Sequence, residues 1–138
     1  EINVIVTVLS EICGNAEEHS QDQGHVMMQS HRYQTFTEVD IVVVDLGIGI
    51  KGSLSPRYGR LASTGVDYIE LALEGYSARG KKMGGAGLQI VQKHVATRDG
   101  ELAIRSGSGL VVIEGSGGAE AFSVEDFPGT LVSLKLKG

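Results

Sequence analysis

The stretch "LSEICGNAEEHS" (9–20) holds Glu11, Asn15, Glu18 and His19 at steps of three and four, so a helix there carries them as one polar stripe opposite an apolar side. These residue types suit work on a ligand. A carboxylate at Glu11 can orient or deprotonate an attacking water or hydroxyl, and the neutral oxygen of Asn15 suits a hard cation that takes few protein ligands. A solvated helix face explains the same pattern, and His19 fits a satisfied histidine near a helix end as well as a ligand contact.

Glycine-rich segments are the second source of chemistry. The chain has 20 Gly against 2 Pro, clustered as if backbone had to turn tightly or lie close to a ligand. "GIGIKG" (47–52) follows a strand and fits the dinucleotide pattern, with Asp67 at a plausible distance for a ribose-binding acid. "SLSPRYG", with Pro56, does not read as the helix that must receive a pyrophosphate, so that reading is rejected. "GYSARGKK" (75–82) approximates a Walker A loop, but Lys82 stands where Ser or Thr is required, and a helix precedes it rather than a strand. "GGAGLQIV" (84–91) opens a helix whose free N–H groups and dipole suit an anion such as a phosphate chain.

The elements that must position these groups follow from periodicity. Ile2, Ile5, Leu9, Ile12, Cys13 and Ala16 predict a helix to about Gly24, although Val4, Val6 and Val8 also suit a strand. "HVMMQSHRY" (25–33) and "EVDIVVVD" (38–45) predict two strands, the second apolar enough to be buried on both faces. From Gly47 to Gly87 only "GVDYIELALEG" is periodic, a short helix with Thr64 and Asp67 as capping box and Gly75 as its stop. A long, partly irregular insertion follows from this, which in a small domain suits a lid over a site. Leu88, Val91 and Val95 predict a helix ending at Asp99–Gly100, and "ELAIRS", "LVVIEG" and "TLVSLKLK" predict three strands with glycine turns. The order points to an α+β fold, a two-layer α/β sandwich with helices on one face of a mixed, mostly antiparallel sheet.

Composition sets the outer bounds. A chain of 138 residues suits one domain, and a 41% hydrophobic content with mean hydropathy +0.04 is ordinary for a globular protein. No run approaches a membrane span, and a net charge of −5 with interspersed signs offers neither a nucleic-acid stripe nor a polybasic membrane anchor. The lone Cys13 allows no internal disulfide, and no signal-peptide pattern is present, which together imply a reducing, cytoplasmic setting.

Four segments taken in order are far more specific than any one. Glu11-x-x-x-Asn15, Asp45-x-Gly47-x-Gly49-Ile50, Gly85-x-Gly87-Leu88 and Gly129–Thr130 follow the four boxes of the Bergerat-fold ATPases, and the chain resembles that GHKL superfamily over nearly all of residues 7–136. "GGAGLQIVQKHVATRDGELAIRSGSG" looks like the histidine-kinase and anti-sigma-factor branch, and "NAEEHS" resembles the first box of the anti-sigma kinases. The superfamily usually has elements before its first box, so the resemblance implies a single ATP-binding domain of a longer protein, with a nucleotide lid at about 51–86.

The resemblance implies the following roles. Asp45 accepts from the adenine amino group, while Gly47 and Gly49 let backbone pass close to the ring and sugar, with Ile50 completing that nucleotide-binding box. Asn15 holds magnesium and Glu11 is the candidate catalytic base, with His19 near a phosphate or the lid. Arg79, Lys81 and Lys82 reach phosphates as the lid closes, Gly85, Gly87 and Leu88 form the third box, and Thr130 supports Asp45. Taken singly, Asp45 fits a strand-ending turn, Asn15 and Glu11 an exposed helix face, the basic residues a loop and Thr130 a plain β-former. None of His19, His25, His31 or His94 lies in anything like a two-helix phosphoacceptor domain, which argues against histidine autophosphorylation within the chain. The implied function is ATP- and magnesium-dependent phosphoryl transfer to a partner protein. The alternatives are an anti-sigma-type Ser/Thr kinase regulator and a non-catalytic ATP sensor, and a gyrase-like mechanical ATPase is disfavoured for want of a transducer domain.

Overall fold

Alternation along the second, third and fourth strands gives each one buried apolar side, and these three sides line up into rows. The computed structural model describes residues 24–76 and 86–138. They form β1 (His25–Arg32), β2 (Thr37–Asp45), α1 (Gly49–Tyr58), a 3-10 turn at Gly59–Leu61, α2 (Gly65–Leu73), α3 (Ala86–Thr97), β3 (Glu101–Glu114) and β4 (Ala119–Lys137). The four strands make one sheet in the order β1-β2-β4-β3, and every described pairing is antiparallel. The fold is α+β, as the residue patterns predict.

Register explains where the core sits. Ile41 pairs with Leu134 and Leu134 with Leu102; one step along, Val43, Val132 and Ile104 form the next row. All six are buried, and α1 adds Ile50 and Leu54, α2 adds Tyr68, Ile69 and Ala72, and α3 adds Leu88, Val91 and Val95. Full burial of one such aliphatic side chain stabilises by about 1.5–3 kcal/mol, so this shared face accounts for most of the driving force.

The helices are joined to one another as well as to the sheet. The Nε2 of Gln92 donates to the carbonyls of Leu73 and Leu88, and that of Gln89 to the carbonyl of Glu74. The last carbonyls of a helix have no partner within it, so α3 supplies partners to the end of α2. The capping box is present as expected: Asp67 N donates to Thr64 Oγ1 at 3.1 Å and Thr64 N to Asp67 Oδ2 at 3.0 Å. Gly75, with φ +105, lies just past the helix end.

Four expectations require correction. The segment after Gly49 is an α-helix rather than irregular chain, with Pro56 inside it. Pro56 stands two residues before the end, where the lost hydrogen bond to the preceding turn disturbs little helix, and a 3-10 turn follows. The dinucleotide reading therefore fails for another reason, since β2 has antiparallel neighbours on both sides and belongs to no parallel βαβ unit. β2 is buried on one face only, because the described helices cover one side of the sheet and Val42 and Val44 stay half-buried. Finally, the three C-terminal strands are two long ones, and residues 119–129 join the last of them. Fourteen extended residues span about 45 Å. Yet Gly115 N donates to Gly100 O at 2.8 Å, so β3 doubles back, at the register shifts between Ser106 and Gly109. The predicted helix before Gly24 lies outside the described residues.

Candidate functional site

The third row of the sheet breaks the pattern of the first two. Asp45 pairs with Thr130 and Thr130 with Ser106, on the same face as the aliphatic rows, and the three are 1%, 6% and 3% exposed. Valines here would extend the core. Burying polar groups is unfavourable unless each is hydrogen-bonded, so a buried polar row has to carry its own bonding network.

That network joins the row to the glycine loop. Gly47 N donates to Asp45 Oδ1 at 3.0 Å, turning the chain as it leaves β2. Ile50 N donates to Ser106 Oγ at 3.0 Å, Ser106 Oγ donates to Gly129 O at 3.0 Å, and Ser106 Oγ and Thr130 Oγ1 share a hydrogen bond of 3.0 Å. Ile50 N is one of the first amides of α1, whose N-cap residue Ile48 supplies no side-chain cap. Ser106, 56 residues away, supplies it instead.

Two glycines are required here by backbone geometry. Gly49 has φ +72, and a Cβ on it would lie 3.2 Å from Ser106 Oγ and 3.3 Å from Gly129 O. Gly129 has φ +119, and a Cβ on it would run into Asp45 O, so any side chain would push β4 off the end of β2. Beside the loop, a cleft of about 330 Å³ opens between Lys51 and Ser55 of α1 and Asp126, Phe127 and Pro128 of β4. The guanidinium of Arg105 lies over the Phe127 ring, 5.6 Å from its centre.

Of the residues singled out by sequence, Asp45, Gly47, Gly49, Ile50 and Thr130 come together around this row. Leu88 is buried in the same core, at the start of α3, and Gly87 precedes it in that helix. Glu11, Asn15, His19, Arg79, Lys81, Lys82 and Gly85 lie outside the described residues. Of the described part of the expected lid, Leu54, Tyr68, Ile69 and Ala72 are core residues. Ser106 is the member that motif reading missed, and its only sequence signal was the end of an alternating strand. Among the described residues no three His, Cys, Asp or Glu side chains converge on a metal-sized site, and no helix is long and apolar enough to cross a membrane.

A search of curated proteins finds no match to this chain. A family model described as "Histidine kinase-, DNA gyrase B-, and HSP90-like ATPase" matches residues 2–137, almost the whole length. With a buried strand-end aspartate, a glycine loop and a threonine paired beside it in a helix-covered antiparallel sheet, the chain belongs to that ATP-binding family.

Proposed function

We propose that this ATP-binding domain is the catalytic domain of a bacterial-type signalling kinase, transferring a phosphoryl group with magnesium to a separate protein partner. The observation that carries the reading is the polar row. A carboxylate, Asp45, lies between a donor from its own loop and a threonine on the neighbouring strand, and the two glycines hold backbone closer than any side chain allows. That set fits an adenine ring, whose amino group needs an acceptor and whose flat faces need apolar neighbours such as Ile50 and Leu88.

The other roles rest on the order of the boxes. Magnesium, held through Asn15, would neutralise phosphate charge, and Glu11, four residues earlier in the chain, would take the proton of the attacking hydroxyl. Gly85 and Gly87 of the third box are assigned to phosphate, a role that the free N–H groups of a helix start would suit. Arg79, Lys81 and Lys82, with His19, complete the phosphate contacts as the segment around 51–86 closes. Histidine kinase-like chemistry on the chain itself is disfavoured, since His25 and His31 lie on β1 and only His94 on a described helix. The anti-sigma type of Ser/Thr kinase is the second reading, favoured by the "NAEEHS" segment.

Transfer of labelled phosphate from ATP to purified candidate partners tests the proposal, alongside ATP and ADP affinities. Glu11→Gln is expected to keep nucleotide affinity while transfer or hydrolysis falls by roughly 10²–10⁴. A folded Glu11→Gln variant that no longer binds nucleotide would remove Glu11 from the catalytic role. ATP binding with no transfer to any partner would leave a nucleotide sensor.

A further inference from the structure

Ser106 belongs to no sequence motif, yet its hydroxyl has three partners at 3.0 Å: Ile50 N, Gly129 O and Thr130 Oγ1. A hydroxyl has one proton and two lone pairs. Ile50 N–H is a donor and takes one lone pair. Gly129 O has no proton, so Ser106 must supply the one between them. Were that proton turned to Thr130, two buried oxygens 3.0 Å apart would face each other lone pair to lone pair, an unfavourable arrangement in a site shielded from water. Thr130 therefore gives its own proton to Ser106, and only lone pairs remain on its hydroxyl. Asp45, its neighbour in register, also offers acceptors.

We propose that Ser106 is a positioning and specificity-determining residue of the nucleotide site. It holds the start of α1 through the Ile50 amide and keeps Thr130 an acceptor. The row then selects a base edge that bears N–H donors, a 6-amino purine, over a 6-oxo purine, whose carbonyl would meet acceptors. The inference rests on the ATP-site reading above for its ligand, and on the hydrogen-bond network alone for its clamp on Ile50.

The full chain and its Ser106→Ala, Thr130→Val and doubly substituted variants are compared by two readouts. The first is amide exchange at Ile50 without nucleotide, followed by NMR. The second is calorimetric affinity for ATP and inosine triphosphate. Ser106→Ala is expected to speed exchange at Ile50 at least tenfold, leaving Ile41 and Leu134 unchanged, and to weaken ATP by roughly 5- to 100-fold. It also lowers the preference for ATP over inosine triphosphate, because Thr130 regains a proton to donate. In the Thr130→Val background, Ser106→Ala should not lower that preference further. Wild-type protein that binds neither nucleotide would overturn the ATP reading and the base selection with it, while exchange at Ile50 still decides the clamp. Wild-type protein that prefers ATP, with Ser106→Ala keeping both that preference and slow exchange at Ile50, would overturn the role of Ser106 alone.

Discussion

Asp45 ends a strand whose preceding inward residues, Ile41 and Val43, are core, so its carboxylate occupies a place that packing alone would give to valine. Asp45→Asn keeps the shape and can still accept from Gly47 N, but it replaces one acceptor oxygen with a donor. A hydrogen bond to a charged group is worth about 1.5–3 kcal/mol, so ATP affinity should drop by about 10- to 100-fold with the melting temperature little changed. Calorimetry on the folded variant checks this, and unaltered affinity would take Asp45 out of the site. Asp45, Gly47, Gly49 and Ile50 were legible in the sequence because they are contiguous and their order is unusual. Ser106 was not, because its partners Ile50 and Gly129 lie 56 and 23 residues away along the chain.

Among the elements, α2 carries the clearest local signal. The carboxyl of Asp67 is held below its ordinary value of 3.8, first by the N–H of Ser63 and next by that of Thr64. A depressed folded value means the stabilisation is fully present above pH 4 and disappears as pH falls through the lower folded value. Asp67→Asn should therefore be less stable than wild type near neutrality, with the gap closing under acid; an equal gap at pH 3 and pH 7 would contradict the charged cap. Thr64→Ala should cost about 1 kcal/mol through the same box. In β4, Gly129→Ala combines positive-φ strain of about 1–3 kcal/mol with a Cβ driven into Asp45 O. A marked fall in thermal stability, together with loss of nucleotide binding, is expected. The proposed lid belongs to this scale too: nucleotide should slow amide exchange within 51–86, most of all outside the core positions Leu54, Tyr68, Ile69 and Ala72. Equal protection with and without ATP would remove it from the account.

For the molecule as a whole, the site and the core are one face of one sheet. Ligand binding and folding are therefore coupled, and ATP with Mg²⁺ at ~100 times its dissociation constant should add about 2.7 kcal/mol to stability. Thermal melts unmoved by millimolar ATP or ADP would contradict that. Ile69→Ala, at a fully buried position of α2, should cost about 2–5 kcal/mol, and saturating nucleotide should recover part of it. A weaker ATP affinity in the folded Ile69→Ala variant would be the measurable sign that the helices covering the aliphatic rows also support the polar one.

What the sequence determined by itself is whatever depends on near neighbours. Runs of strand-favouring residues placed β1 and β2, three-and-four spacing placed α2 and α3, and Thr64 with Asp67 marked a helix start, because each of these is settled within a few residues. The α+β class followed from these, while the four ordered boxes came from the resemblance to a known superfamily. Only the tertiary structure decided the rest. The helix of Gly49–Tyr58 has few apolar residues and a proline, and what it gains comes from burying Ile50 and Leu54 and from a cap supplied by a distant strand. The joining of predicted strands into β3 and β4 depended on register and on a bend that no local pattern encodes. The row of Asp45, Thr130 and Ser106 exists because strand pairing sets side by side three residues that the chain keeps far apart, and hydrogen bonds among buried groups have meaning only once they meet.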